Sequence, residues 1–139
     1  MKYTKGTNYA LHIIAFFMRQ GDKETFSLQP LATKMEMPPA YLSKILSQLV
    51  KADLIQSVSG ANGGYRLRKK KEEITFFDVV RAIEGSGALF TCEMNEDACR
   101  LQRVMREAEK RLEHYLAHQT IYEAVHGHAP HTEDAGGAD

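Results

Sequence analysis

Residues 37–39 read Met-Pro-Pro, a break between two short apolar-periodic segments that constrains the fold more than any other feature. A residue before proline is pushed toward extended geometry, so Met37 and Pro38 are expected outside helix. Pro39 suits the first position of the next helix, where the missing N–H costs nothing. Upstream, Ser27 is placed to cap a short helix carrying Leu28, Leu31, Ala32 and Met35, with Pro30 tolerated in its first turn. Downstream, Leu42, Ile45, Leu46 and Leu49 recur at i, i+3, i+4, i+7 and predict a helix that buries one face. Its other face holds Tyr41, Lys44, Ser47, Gln48 and Lys51 and stays free. Two short helices joined through a tight break form a helix-turn-helix.

The chain after this pair gives it a purpose. Ile55-Gln56-Ser57-Val58 reads as a short strand, and Gly60-Ala61-Asn62-Gly63-Gly64 supplies residues that accept the positive φ of hairpin turns. Tyr65-Arg66-Leu67-Arg68 returns with apolar and basic residues alternating, and Lys69, Lys70 and Lys71 extend the charge. A helix-turn-helix followed by a basic hairpin is a winged helix. Its second helix fits a major groove about 12 Å wide, and the hairpin reaches neighbouring phosphates or the minor groove.

Charge supports this division. The whole chain balances 18 Lys+Arg against 18 Asp+Glu, but residues 1–71 hold 12 basic and 4 acidic side chains, a net of +8. Residues 72–139 hold 6 and 14, a net of −8. A basic half beside an acidic half points to a polyanionic partner for the first and another task for the second.

A broad helical stripe of Tyr9, Ala10, Leu11, Ile13, Ile14, Phe16 and Phe17 precedes the pair, with Thr4 or Thr7 as N-cap and Gly21 as a stop. Thr75-Phe76-Phe77-Asp78 has capping-box spacing and opens a helix through Val79, Val80, Ala82 and Ile83, closed by Gly85. Residues 85–99 read as a loop. A long helix follows, with Leu101, Val104, Met105, Ala108, Leu112, Tyr115 and Leu116 in steps of three and four that describe a packing seam. Thr120 starts a last short helix ending near Gly127. The predicted fold is mainly α with a small β-hairpin wing. It comprises a winged-helix DNA-binding domain (1–71), a linker helix, sensor loop and dimerisation helix (72–126), and a disordered tail (127–139).

Several functions are excluded from expectation. No apolar run approaches the roughly 18 residues of a membrane span, and no small-residue cleavage site follows the first apolar stretch, so cytoplasmic residence is expected. Two cysteines are too few for a disulfide framework. No nucleophile–base constellation is visible, and Gly60–Gly64 precedes a strand, unlike a phosphate-cradling loop, so no enzyme activity is expected. His126, His128 and His131 lie close together but lack a framework to fix metal geometry.

The order of motifs resembles the BadM/IscR/NsrR-type winged-helix transcription regulators of bacteria, from about Met1 to Val125. The likeness is carried by Tyr9-Ala10, Tyr41-Leu42-Ser43-Lys44, Gly60-Ala61-Asn62-Gly63-Gly64-Tyr65 and a cysteine-containing loop between a short and a long helix. It implies a homodimer on a palindromic operator of double-stranded DNA, usually a repressor, with the long helix forming the dimer interface. Contacts carried over by motif come from Pro39, Ala40, Tyr41, Ser43 and Lys44 and from the wing at Asn62, Gly63 and Gly64. Several relatives have an arginine just before the wing glycines. Here that position is Ser59, so the operator is expected to differ where a bidentate Arg–guanine contact would discriminate by about 1–3 kcal/mol. Arg66, Arg68 and Lys44 remain as phosphate contacts, which position the protein without reading sequence.

Cys92 and Cys99 lie in the loop, separated by six residues. Relatives that bind an iron–sulfur cluster usually carry three cysteines there, whereas Val104 and Met105 stand where a third would fall. A [2Fe–2S] centre takes four protein ligands. His12, four residues after Asn8, is a third-ligand candidate, though a histidine on this stripe also reads as a core residue. Three readings stay open: thiol sensing through Cys92 and Cys99, an iron–sulfur site using Cys92, Cys99 and His12, or incidental thiols with a small molecule or another partner as the signal. No other cofactor is expected. From a different class, a protein-interaction adaptor would show a neutral, apolar outer face on the Pro39–Lys51 helix.

Overall fold

A computed structural model of the chain describes residues 2–20, 24–90 and 100–127. Helix α1 (Lys5–Arg19) places Ala10, Ile13, Ile14, Phe17 and Met18 on one buried face, at the i, i+3, i+4, i+7, i+8 spacing of an amphipathic helix. Thr4 is its N-cap but makes no side-chain cap, and Gly21, the expected stop, lies outside the described residues.

Helices α2 (Leu28–Met35) and α3 (Pro39–Lys51) form the expected pair, with Pro39 in the first turn of α3. Both end in the same way. After α2, Glu36 takes a left-handed conformation (φ 54°), its N–H donates to the Thr33 carbonyl, and the Met37 N–H reaches back to the Ala32 carbonyl at 3.0 Å. After α3, Asp53 is left-handed (φ 61°), its N–H donates to Val50, and Leu54 N–H reaches Leu49 at 3.1 Å. These are Schellman closures, and in each the following apolar residue, Met37 or Leu54, is buried. Glycine is the usual occupant, and a residue with a Cβ costs about 1–2 kcal/mol there.

Strands β1 (Ile55–Val58) and β2 (Gly64–Leu67) form one antiparallel hairpin with Ile55 opposite Leu67 and Val58 opposite Gly64. Phe26 adds an antiparallel bridge to Tyr65, with both N–H···O bonds at 2.9 Å. A 3₁₀ turn (Lys71–Glu73) leads to α4 (Phe76–Glu84), whose capping box is complete: Thr75 Oγ1 accepts from the Asp78 N–H, and Asp78 Oδ2 accepts from the Thr75 N–H, both at 3.0 Å. Helix α5 (Arg100–Ala117) is followed by α6 (Ile121–Val125), where Thr120 Oγ1 accepts from the Glu123 N–H.

A second bridge, Thr75 with Thr120, returns the chain end to the start of α4 through Phe76 N–H to Gln119 (2.9 Å) and Ile121 N–H to Ile74 (3.0 Å). One buried cluster consequently runs from α1 through the α3 face of Leu42, Ile45, Leu46 and Leu49 to Ile74, Val79 and Ile121. Among the described residues, no helix is long and apolar enough to cross a membrane.

Candidate nucleic-acid interface

Burying the leucine face of α3 leaves the opposite face outward. Ala40, Lys44, Ser47 and Lys51 are exposed, while Pro39, Ser43 and Gln48 are partly buried. Ser47 Oγ donates to the Ser43 carbonyl at 2.9 Å, so this hydroxyl already has a partner on its own helix. Tyr41 does not stand free. Its ring packs edge-to-face on Tyr9 of α1, with centroids 5.7 Å apart and planes at 83°.

The wing is tied to the body at its base and open at its tip. Ser59, Gly60, Ala61 and Asn62 are exposed, and the Gly63 N–H closes the turn on the Gly60 carbonyl at 3.0 Å. Thr25 Oγ1 donates to the Asn62 carbonyl at 2.8 Å and steadies the returning limb. Glycine is required at 64 for two reasons. Its φ of +149° disfavours a side chain, and a Cβ would lie 2.5 Å from the Phe26 carbonyl oxygen. A Cβ at Gly63 would lie 2.2 Å from the Val58 carbonyl oxygen.

The basic residues divide by role. Arg66 is partly buried in β2 opposite Gln56. Arg68 is exposed and directs Nη1 at Asp53 Oδ1, 3.1 Å away, joining the wing base to the end of α3. Lys69 Nζ lies 2.8 Å from Asp78 Oδ2, the oxygen that completes the α4 capping box. It has therefore become structural. Lys44 and Lys70 are exposed.

The sensor candidates are only partly placed. Cys92 and Cys99 lie outside the described residues. His12 is exposed, which overturns the core-histidine reading, and its Nδ1 sits 2.8 Å from the Asn8 carbonyl. With Nδ1–H donated to that carbonyl, Nε2 is the ring nitrogen left to bind a metal. Among the described residues no three His, Cys, Asp or Glu side chains are gathered to hold a metal ion. Two thiols and one imidazole fall one ligand short of the four a cluster takes, and the neutral Asn8 amide does not repair that.

Two features surround these residues, the first without a signal in the sequence. Glu84, at the end of α4, receives hydrogen bonds on a single oxygen, Oε2: from the Thr4 N–H (2.8 Å), the Thr4 hydroxyl (2.9 Å) and the Thr7 hydroxyl. The carboxylate thus caps α1 from outside, where the helix dipole favours negative charge. Thr7, a cap candidate from the sequence, is buried inside the first turn instead. Burial pushes the Glu84 carboxyl up, but the bonds from Thr7 and Thr4 outweigh it and hold the group below its ordinary value. The second feature is α5. None of its side chains is buried, and Leu101, Val104, Met105 and Tyr115 are all exposed, with Leu101 at 75%. That is the expected seam, whose Leu101, Val104, Met105 and Tyr115 stay uncovered among the described residues.

Comparison with known proteins agrees with the geometry. Residues 3–127 match the Rrf2 family, described as an iron-dependent transcriptional regulator. NsrR of Shouchella clausii, an HTH-type transcriptional regulator, is 30% identical over 132 residues, covering 90% of this chain and 89% of that protein. YffB of Lactococcus lactis, an HTH-type transcriptional regulator by name, is 37% identical over 90 residues, which is 65% of this chain and 58% of YffB, so the chain spans less than two thirds of that relative. Among solved structures, CymR, the global cysteine regulator of B. subtilis, superposes with a TM-score of 0.75 over 91% of this chain and 97% of CymR. At 24% identity that likeness speaks for the fold alone.

Proposed function

The chain belongs to the Rrf2 family of DNA-binding transcriptional regulators, which are not enzymes, and on that premise we propose that it is a cytoplasmic repressor binding a palindromic operator as a homodimer. Residues 1–71 hold DNA and residues 72–126 dimerise and sense. The observation that carries this reading is the outward face of α3, with Ala40, Lys44, Ser47 and Lys51 exposed, followed by a wing whose tip at Ser59–Asn62 is also exposed. That face is polar and basic, which argues against a protein-interaction adaptor.

Base and phosphate contacts are assigned to Pro39, Ala40, Tyr41, Ser43, Lys44, Ser59, Asn62, Gly63, Gly64, Arg66 and Arg68. The apolar seam of α5 supports the dimer, because exposed Leu101, Val104 and Met105 need cover that the described residues do not supply. Two-fold pairing requires half-sites about one helical turn, roughly 34 Å, apart. Salt-titrated binding to the promoter region of the protein's own gene tests the proposal. Preference over random duplex at moderate salt is expected, and equal binding to both at every salt overturns it.

For sensing, the Cys92–Cys99 loop is the assigned element, and thiol oxidation is the favoured chemistry because the ligand set for a cluster is incomplete within one chain. Rrf2 relatives such as NsrR and IscR can bind iron–sulfur clusters, and the exposed His12 with its free Nε2 keeps a site from Cys92, Cys99 and His12 as the second reading. An anaerobic visible spectrum with iron and sulfide counts separates the two. A colourless, iron-free protein that forms a Cys92–Cys99 disulfide on mild oxidation supports thiol sensing. A coloured protein that bleaches on His12→Ala supports the cluster.

A further inference from the structure

Outside the interface and the cysteine loop, the structure contains a cleft of about 270 Å³. It is bounded by Lys2 and Tyr3, one side of α4 from Phe77 to Glu84, the segment that follows to Leu89 and the C-terminal half of α5. The volume lies just under the roughly 300–1,000 Å³ of drug-sized sites, so the fitting ligand is a smaller molecule.

The lining is apolar along one strip and charged at separate points. Phe77 and Val80 of α4 face Leu112 and Leu116 of α5 across it. Of the lining carboxylates, Glu84 holds Thr4 and Thr7, and Glu109 Oε1 accepts the Leu89 N–H at 3.1 Å. Both therefore have a structural task. The Arg81 guanidinium stands over the Phe77 ring, its centre 5.8 Å from the ring centroid. Glu113 lies on the α5 side near Tyr3, whose phenol is pushed up by burial, then by Glu84 and Glu113.

We infer that this cleft binds a small zwitterion with an apolar side chain, of which a free α-amino acid such as leucine or phenylalanine is the simplest case. Arg81 takes the carboxylate, with the two parallel bonds a guanidinium offers. The Glu113 carboxylate and the Tyr3 phenol oxygen accept from the ammonium, and the strip between α4 and α5 takes the side chain. A zwitterion answers both signs at once, the cations Arg81 and Lys2 and the carboxylate Glu113. This goes beyond the operator-binding and thiol-sensing reading; of the residues that reading names, the cleft shares Leu112 and Leu116 of the α5 seam.

Isothermal titration of the full chain, without DNA, tests it and does not depend on whether an operator is found. L-leucine and L-phenylalanine are the probes, with L-leucinamide lacking the carboxylate and N-acetyl-L-leucine lacking the ammonium. Saturable binding of at least one free amino acid is expected below about 10 mM, with each blocked form roughly tenfold weaker. Arg81→Gln should weaken leucine roughly tenfold while changing leucinamide little, and Glu113→Gln should do the same relative to N-acetyl-leucine. Both side chains are exposed, so the variants should keep the parental melting temperature. The inference is overturned by the absence of saturable binding for both amino acids. It is also overturned by blocked forms that bind as well as the free ones, or by variants that weaken all three leucine compounds equally.

Discussion

Tyr41, the third residue of the recognition helix, meets Tyr9 of α1 edge to face, with ring centroids 5.7 Å apart. A side chain assigned by motif to DNA is therefore also a contact between α3 and α1. Edge-to-face pairs contribute about 0.5–1.5 kcal/mol beyond area burial. A double-mutant cycle of Tyr9→Leu and Tyr41→Leu, followed by urea unfolding, should return a coupling in that range. Strict additivity would show that the rings touch without cooperating.

Glu84 makes stability depend on pH in a stated direction. Its folded-state carboxyl sits below the ordinary 4.5, so its contribution is complete above that value and is lost as pH falls through the lower, folded one. Glu84→Gln should lower stability at neutral pH by about 1 kcal/mol or less, given how exposed the group is. The gap between wild type and variant should close under acid conditions. A constant gap across the titration would assign the loss to shape and not to charge.

Arg68 and Lys44 should differ in their effect on DNA. Lys44→Ala should lower the slope of log affinity against log salt by about 1, the signature of one lost phosphate contact. Asp53→Asn keeps a residue that tolerates the left-handed turn and releases Arg68 from its 3.1 Å pairing. Binding to random duplex should then tighten and the slope should steepen. An unchanged slope in fluorescence anisotropy would show that Arg68 never reaches a phosphate.

Gly64→Ala should cost about 1–3 kcal/mol, because a Cβ there meets the Phe26 carbonyl and the backbone must leave φ +149°. Gly60, with open space around its Cβ position, serves as the control. Calorimetric melting should show a larger drop for Gly64→Ala than for Gly60→Ala.

Val104→Glu, at a position 68% exposed on α5, should leave the folded subunit intact and abolish dimerisation. Sedimentation velocity reads the mass, and far-ultraviolet circular dichroism confirms the helices. Persistence of a dimer would place the interface elsewhere.

The elements legible in the sequence are those with local causes. Pro39 starts α3, the Thr75–Asp78 capping box starts α4, and the β1 pattern gives a strand with the anticipated ends. Long-range partners left no trace. Glu84 finds Thr4 and Thr7 about eighty positions away, and nothing in its neighbourhood distinguishes it from a solvated carboxylate. The bridges Phe26–Tyr65 and Thr75–Thr120 join single residues, too short for a strand signal. Glu36 and Asp53 hide their left-handed turns because that geometry is usually announced by glycine or asparagine. His12 misled for a related reason: it neighbours an apolar stripe in sequence but faces outward in space.

Asp53 closes the recognition helix through its backbone and holds the wing base through its side chain. On the proposed reading, the α3 face and the wing meet DNA as one stamp rather than two fingers. Residues along the outer face of α3 can be exchanged to print a different half-site while the wing keeps its distance and angle. Retargeting this regulator should therefore require rewriting the outer face of α3 and Ser59 at the wing tip, provided Asp53 and Arg68 are left in place.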